Sequence, residues 1–496
     1  MGLDPRTPVI VGAGQLTNRV DEGAAPLEPI EMICDALRSA EVDAGAGGGG
    51  VLAGADSIRL VLMLSWRYRD PGALVAGRLG AEPRESIYTA GGGNVPQALV
   101  NRTALDIRDG AADLVLLGGA EAWRTRMALR RNGERPAWTT EGDDVAPAAG
   151  FGGELEMVHP AEQARGVLMP VQMYPMFENA HRAALGRAPD DHLRRVSELW
   201  AGFSEVAAAN PYAWTQRPLT AEEIRTASEG NRMIALPYRK LMCSNENVEQ
   251  AAALVMCSVE RATELEVPAD RWVFPLSGGD AADRTFVSER ADLASSPAVR
   301  LAGSETLSLA GVGIDDVAHV DLYSCFPSAV QIGAAELGLS LDRQLTVTGG
   351  LRFAGGPWNN YSTHAIATMV DVLRADPTSL GLVWANGGFL TKHAVGLYSA
   401  TPGSEPFAHA NPQAAVDSLP GREVADDAEG DVEIETYTVA YDRDNRPETG
   451  LAACLLPDGR RAWGATADRG VAAQMTDAEM CGQRARLDRD GTLTLL

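Results

Sequence analysis

The stretch from Gly349 to Tyr398, GGLRFAGGPWNNYSTHAIATMVDVLRADPTSLGLVWANGGFLTKHAVGLY, decides the fold. It reads as glycine turn, helix, buried strand, glycine turn and a further strand. The spacing of Ile366, Met369, Val370 and Leu373 predicts a helix over about 360–374. Leu382, Val383 and Trp384 are then apolar on both faces, the pattern of a strand covered on both sides. Asn386-Gly387-Gly388 closes the unit, and glycines there let backbone amides approach a ligand.

An earlier stretch, SIYTAGGGNVPQALVNRTALDIRDGAADLVLLGGAEA (residues 86–122), follows the same plan. Asn94 is placed to cap its helix, Pro96 sits in the first turn, and Gly110 ends it. Leu114 to Leu117 form the strand, with Gly118-Gly119 as the exit turn. Two copies of one α/β unit predict two similar halves.

Between them the composition shifts. From about Trp123 to Leu236 the chain carries Arg124, Arg126, Arg130 and Arg131, a Pro/Gly-rich passage and a helical pattern over 191–209 with Asp190 as its cap. This reads as an insertion folding over the core. The arginines suit either phosphates or a solvated surface. CSNENVEQAAA (243–253) reads as a polar turn entering an Ala-rich helix. DLYSCF (321–326) ends a strand, and a helix follows from Pro327 to Leu337. Residues 399–430, rich in Pro, Ala and acidic side chains, read as a linker. Alternation from Val432 onward predicts a small all-β module, five-stranded and OB-like. The resulting boundaries are 1–123 with 237–270, insertion 124–236, second half 271–400, linker 401–430 and module 431–496.

The chain has 496 residues, 43 Lys+Arg against 67 Asp+Glu, and a formal charge of −24. That balance argues against nucleic acid or an anionic membrane as partner. Cys34, Cys243, Cys257, Cys325, Cys454 and Cys481 lack metal-ligand spacing, so no metal is expected and reduced thiols are the default. No signal peptide or membrane-spanning apolar run is visible, which predicts a cytoplasmic protein.

Five motifs together resemble the thiolase superfamily over residues 5–400. GGNVPQAL (92–99) is similar to the nucleophile motif CGSGLQAV, and DLYSCF to the NEAF loop. GGLRFAGGP (349–357) is similar to GGAIALGHP, WANGG (384–388) to the CxG loop, and CSNENVEQAAA to the segment lining the pantetheine tunnel. The resemblance implies a five-layered αβαβα fold with an inserted loop domain. It also implies coenzyme A or acyl-CoA as ligand and acyltransferase-type chemistry in lipid metabolism. Gly92 stands where the family has its acyl-accepting cysteine, Gly356 where it has the activating histidine, Tyr323 at the oxyanion asparagine and Ala385 at the second cysteine. Cysteine-based condensation needs an activated nucleophile, which Gly92 lacks. With the appended module, these departures look most like type 1 thiolase-like proteins, kin to acetyl-CoA acetyltransferases.

Candidate catalytic residues are therefore His393, His364, Cys325 and Tyr323, with Tyr361 as a further proton donor and Cys243 as a second thiol. A histidine near the cleft suits proton transfer, although His364 on its helix equally suits a satisfied buried group. Candidate ligand-binding positions are Gly92, Asn94, Ser244, Asn245, Gly356, Asn386, Gly387 and Gly388. The alternative reading is a cysteine-independent aldolase or lyase acting on 3-hydroxyacyl-CoA. The strand around Ser86–Thr89 is the usual dimer edge of the superfamily, and a monomer is expected here.

Overall fold

The computed structural model describes residues 3–154 and 156–496. The first half supplies β1 (Pro8–Thr17), β2 (Ser57–Leu60), β3 (Glu85–Thr89), β4 (Leu114–Ala122) and β5 (Ala149–Phe151). Two short strands, β6 (Met233–Ala235) and β7 (Tyr238–Arg239), precede β8 (Glu249–Ser258), which returns to the first sheet between β1 and β4. The sheet order is β1-β8-β4-β2-β3-β5. The second half contributes β9 (Phe274–Ala282), β10 (Val317–Leu322), β11 (Leu380–Gly387), β12 (Lys392–Ser399) and β13 (Ala408–Ala410), in the order β10-β11-β12-β9-β13.

The predicted repeat is present in the strand order itself. β2-β4-β8-β1 and β10-β11-β12-β9 run in the same sequence, each with one parallel pair followed by two antiparallel pairs. Helices Val95–Arg108 and Tyr361–Ala375 occupy equivalent places between the two sheets and touch each other. Helix Pro29–Ala44 covers the outer face of the first sheet, and helix Pro297–Leu309 that of the second. These are the five layers. The middle helices are polar where they face the second sheet, and those groups are satisfied. The Asn101 side-chain amide donates to the Val395 carbonyl at 3.2 Å, and the Tyr398 hydroxyl to Gln97 Oε1 at 2.8 Å.

Several sequence expectations are corrected. The Ala-rich run at 249–258 is not a helix but β8, buried at every residue. Helix propensity loses here because helices pack on both faces of the strand, and small side chains let them approach. Gly118 and Gly119 lie inside β4, not in a turn after it. The helix expected over 191–209 starts at Pro189, so Asp190 and Asp191 lie in its first turn and do not cap it. Residues 399–430 are not simply a linker, since β13 pairs with β9 and helix Gln413–Asp417 follows.

The C-terminal module holds β14 (Gly430–Tyr441), β15 (Pro447–Leu455), β16 (Arg461–Thr466), β17 (Arg484–Leu487) and β18 (Leu493–Leu495). Their order is β16-β15-β14-β17-β18, and a parallel bridge between Ala465 and Thr492 joins the two ends. The module is not all-β, because helix Arg469–Asp477 links β16 to β17. Its own apolar core includes Val432, Ile434, Val439, Met475 and Leu487. It docks on helix Pro170–Ala184, where Thr436 Oγ1 donates to the Met176 carbonyl at 2.6 Å and Asn179 Nδ2 to the Tyr437 carbonyl at 2.9 Å. Arg461 is fully buried at a second contact, against residues 287–290 of the second half. It forms a two-bond pair with Glu435 at 2.6 and 2.7 Å and donates to the Ser288 and Arg290 carbonyls at 2.8 and 2.6 Å.

Candidate active-site cavity

A cavity of about 540 Å³ lies where the glycine turns of the two halves meet. It is lined by Gly92, Ser244, Tyr323, Cys325, Gly356, Asn386, Gly387 and Gly388, which come from segments scattered across the chain. Leu62, Met157, Met169, Val171, Tyr174, Phe326 and Leu351 supply its apolar wall. A larger groove of about 880 Å³ runs along helix Pro189–Ala209 and residues 341–347, and contains none of these motif residues.

Backbone geometry holds the cavity open. Gly92 has φ +145°, and its N–H donates to Asn359 Oδ1 at 2.9 Å. The Gly356 N–H donates to the Asn245 carbonyl at 2.9 Å, and the Ser244 N–H to the Cys325 carbonyl at 3.0 Å. Asn386 and Gly387 are the last residues of β11 rather than part of the turn, and Tyr174, on the inserted helix Pro170–Ala184, fixes this strand end and the Gly388 turn after it. Its hydroxyl donates to the Gly388 carbonyl at 3.0 Å and accepts from Asn386 Nδ2 and the Leu390 N–H, each at 3.0 Å. Buried Asn386 Oδ1 has no partner among the described residues, so the carboxamide oxygen is spare.

Four candidates lie away from the cavity. His393 is 1% exposed and stacks on Trp384, with Nε2 at 3.3 Å from both Asp283 Oδ2 and Ser296 Oγ. Strand parity explains this, since neighbouring residues in a strand point to opposite faces. Lys392 faces the cavity, so His393 cannot. His364 faces β1, where Nδ1 lies 2.8 Å from Gln15 Oε1, and burial lowers its pKa to about 3. It is a buried group satisfied at Nδ1 alone, since Nε2 has no partner among the described residues. Asn94 does not cap its helix through its side chain, and its unpartnered Oδ1 sits behind the Gly92 and Gly387 backbones. Asn245 contributes only its backbone.

The thiols are unreactive by environment. Burial pushes both Cys325 and Cys243 up to about 12, so each stays protonated near neutral pH. Burial likewise raises the Tyr323 hydroxyl above its usual range, which keeps it a proton donor. Tyr361 is committed elsewhere, its hydroxyl donating to Asp321 Oδ1 at 2.9 Å.

Lys392 is the residue that motif reading passed over. It lines the cavity, and its Nζ donates to the Gly91 carbonyl at 2.8 Å. The available signal was scarcity: Lys240 and Lys392 are the only lysines among 43 basic residues. Next to the cavity, and sharing Leu64 with it, is a pocket of about 350 Å³ lined by Trp66, Arg67, Arg69 and Arg126. Of the other clustered arginines, Arg124 stacks on Trp214, while Arg130 and Arg131 are exposed.

Two similar α/β halves meeting at a cavity of glycine turns, with an inserted lobe above it, define a thiolase-fold protein. Solved thiolase-fold structures share that architecture. The dimeric peroxisomal thiolase of Saccharomyces cerevisiae is 14% identical, with TM-score 0.55, and covers 80% of this chain and 98% of its own. An Ltp2–ChsH2(DUF35) aldolase is 21% identical, with TM-score 0.59, covering 79% and 98%. The family is narrower. The crystal structure of a monomeric SCP2-thiolase-like protein type 1 from Mycobacterium smegmatis is 34% identical over 100% of both chains, with TM-score 0.84. A family model for the thiolase-like protein type 1 additional C-terminal domain matches residues 412–492. The chain belongs to the type 1 thiolase-like proteins. An acetyl-CoA acetyltransferase of Methanocaldococcus jannaschii is 24% identical over 266 residues, spanning 54% of this chain and 60% of that relative.

Proposed function

We propose that this protein binds acyl-CoA thioesters in the cavity between its halves, without a cysteine nucleophile. The observation that carries this reading is the convergence of the glycine turns and the Ser244 segment on one apolar-walled cavity, although glycine stands at the nucleophile position. Such a cavity suits an acyl thioester, with few polar groups to orient the carbonyl. The adjoining Trp66–Arg67–Arg69–Arg126 pocket offers a planar ring and guanidinium groups for the adenine and phosphates of the carrier. Calorimetry with CoA and acyl-CoAs of graded length tests this. Binding that tightens with acyl length is expected, and no heat at millimolar ligand would overturn it.

A second reading is retro-aldol cleavage of 3-hydroxyacyl-CoA. It is favoured by the Tyr323 hydroxyl, which faces the cavity without a protein hydrogen-bond partner among the described residues. Likeness to an aldolase supports the fold of this reading and no more. Aldehyde or ketone release from 3-hydroxyacyl-CoAs would establish turnover, and silence across chain lengths would leave binding alone.

We further infer a monomer. β3, the strand expected at a dimer edge, pairs on its outer side with β5 of the same chain. The edge is therefore filled internally, which the likeness to a monomeric relative supports. The module's strand order, its parallel closing bridge and its helix between third and fourth strands support an OB-like reading. No residue of 430–496 lines the cavity, so any influence on it runs through intermediaries such as helix Pro170–Ala184 and Arg290. Six unpaired cysteines support a reducing, cytoplasmic setting.

A further inference from the structure

Lys392 opens β12 opposite Gly387, so the β11–β12 register delivers its amine to the glycine turns. A Cβ built on Gly92 would lie 3.0 Å from Lys392 Nζ, so the amine fills the space beside the position of the family's cysteine. A Cβ on the next residue, Gly93, would collide with the Tyr323 hydroxyl. An amine and a phenol thus flank two consecutive glycines on one cavity wall. Lys392 makes no ion pair among the described residues, and burial alone lowers its pKa. Its Nζ contacts are two carbonyl oxygens, Gly91 at 2.8 Å and Gly153 at 3.5 Å. Two acceptors leave one further position on the nitrogen facing the cavity, where the lone pair lies once the amine is neutral.

Residue choice points the same way. This chain uses arginine for nearly every cation, yet a lysine stands here. Guanidinium supplies charge but stays protonated, whereas a desolvated lysine amine adds to carbonyls.

We propose that Lys392 is a carbonyl-reactive amine that forms a Schiff base with the 3-keto group of a 3-oxoacyl thioester held in the cavity. The Nζ lone pair forms a bond to the keto carbon, and the C–O bond breaks. The carbonyl oxygen leaves as water with the two amine hydrogens, one of them relayed through the Tyr323 hydroxyl, so no oxidant or reductant takes part. The proposal rests on the acyl-thioester reading for its carrier, while the amine chemistry is tested separately.

The full chain is incubated with acetoacetyl-CoA and, in a parallel arm, with free acetoacetate, each with and without cyanoborohydride, then mapped by peptide mass spectrometry. Exposed Lys240 is the internal control. The expected result is a reductant-dependent adduct on Lys392 that saturates with acetoacetyl-CoA. It should exceed the Lys240 adduct severalfold, because burial lowers the Lys392 pKa and frees more of its amine. Equal labelling of the two lysines, or none at Lys392, overturns the proposal. Calorimetry with CoA on the wild-type chain keeps the two readings apart. CoA binding with no Lys392 adduct in the wild type removes the Schiff base and leaves the binding reading. An adduct with acetoacetate but no heat from CoA removes the thioester carrier.

Discussion

Gly92 does not readily accept a side chain. Its φ of +145° is a conformation that side chains rarely adopt, and a Cβ there would meet Asn94 Oδ1 at 2.5 Å. G92C is therefore expected to lower stability by about 1–3 kcal/mol and to gain no thiolase turnover. Urea unfolding and a thiolysis assay check both parts, and restored turnover would contradict the geometry. His364 gives a pH prediction. Its imidazole is held neutral, with pKa lowered by burial from 6.5 to about 3. Protons bind the unfolded chain first, so the stability present above pH 6.5 is lost as pH falls towards 3. The full shift corresponds to roughly 3–5 kcal/mol. H364Q should flatten that part of the acid limb relative to wild type in urea melts at pH 7, 5.5 and 4. Identical slopes would show that His364 is not a source of acid sensitivity. Glu121 acts in the opposite sense: burial raises its pKa to about 7, so it weakens the fold as pH rises from 4.5 towards 7.

At the scale of elements, Asp321 at the end of β10 ties three segments together. Its carboxylate accepts from Thr346 Oγ1 at 2.8 Å, the Val347 N–H at 3.0 Å and the Tyr361 hydroxyl at 2.9 Å. D321A leaves those buried donors unpaired and should cost on the order of 3–5 kcal/mol. Thermal and urea melts read this directly, and a loss below about 1 kcal/mol would show the cluster to be replaceable. Much of the element plan was legible, because glycine turns and apolar runs are local signals. The repeated unit, the helix from Pro327 and the motif positions at the cavity could all be read from short strings. What could not be read depended on neighbours far away in sequence. β8 looks helical until helices cover both its faces. His393 looks better placed than Lys392 until strand pairing decides which of the two faces inward. Tyr174 shows its role only when the inserted helix reaches the Asn386 strand end.

At the scale of the molecule, Arg461 holds the C-terminal module to the second half. R461M leaves Glu435 without its partner in a mostly buried seam, and about 3–5 kcal/mol of stability should be lost. The sharper expectation is uncoupling. Hydrogen exchange should rise in helix Pro170–Ala184 and at the Asn386 strand end, both remote from the substitution, and unchanged protection there would sever the module from the cavity. A chain cut near Tyr398 would be a poor test of the same idea. It also removes β13 from the second sheet, so the informative cut falls just before β14.

The seam between β14 and the inserted helix has a consequence for synthesis. Chains grow from the N-terminus, and domains fold as they emerge. Both sheets have all their strands once residue 410 is made. Helix Pro170–Ala184, translated long before, must wait until residues 430–441 arrive to cover its outer side. That helix carries Tyr174, which fixes the Asn386 strand end. A nascent chain that stalls between these points has a formed core, an uncovered apolar helix and an unbraced cavity. The cavity is therefore finished only after nearly all of the described chain has been translated, and an incomplete product is marked by exposed surface that chaperones and proteases can read.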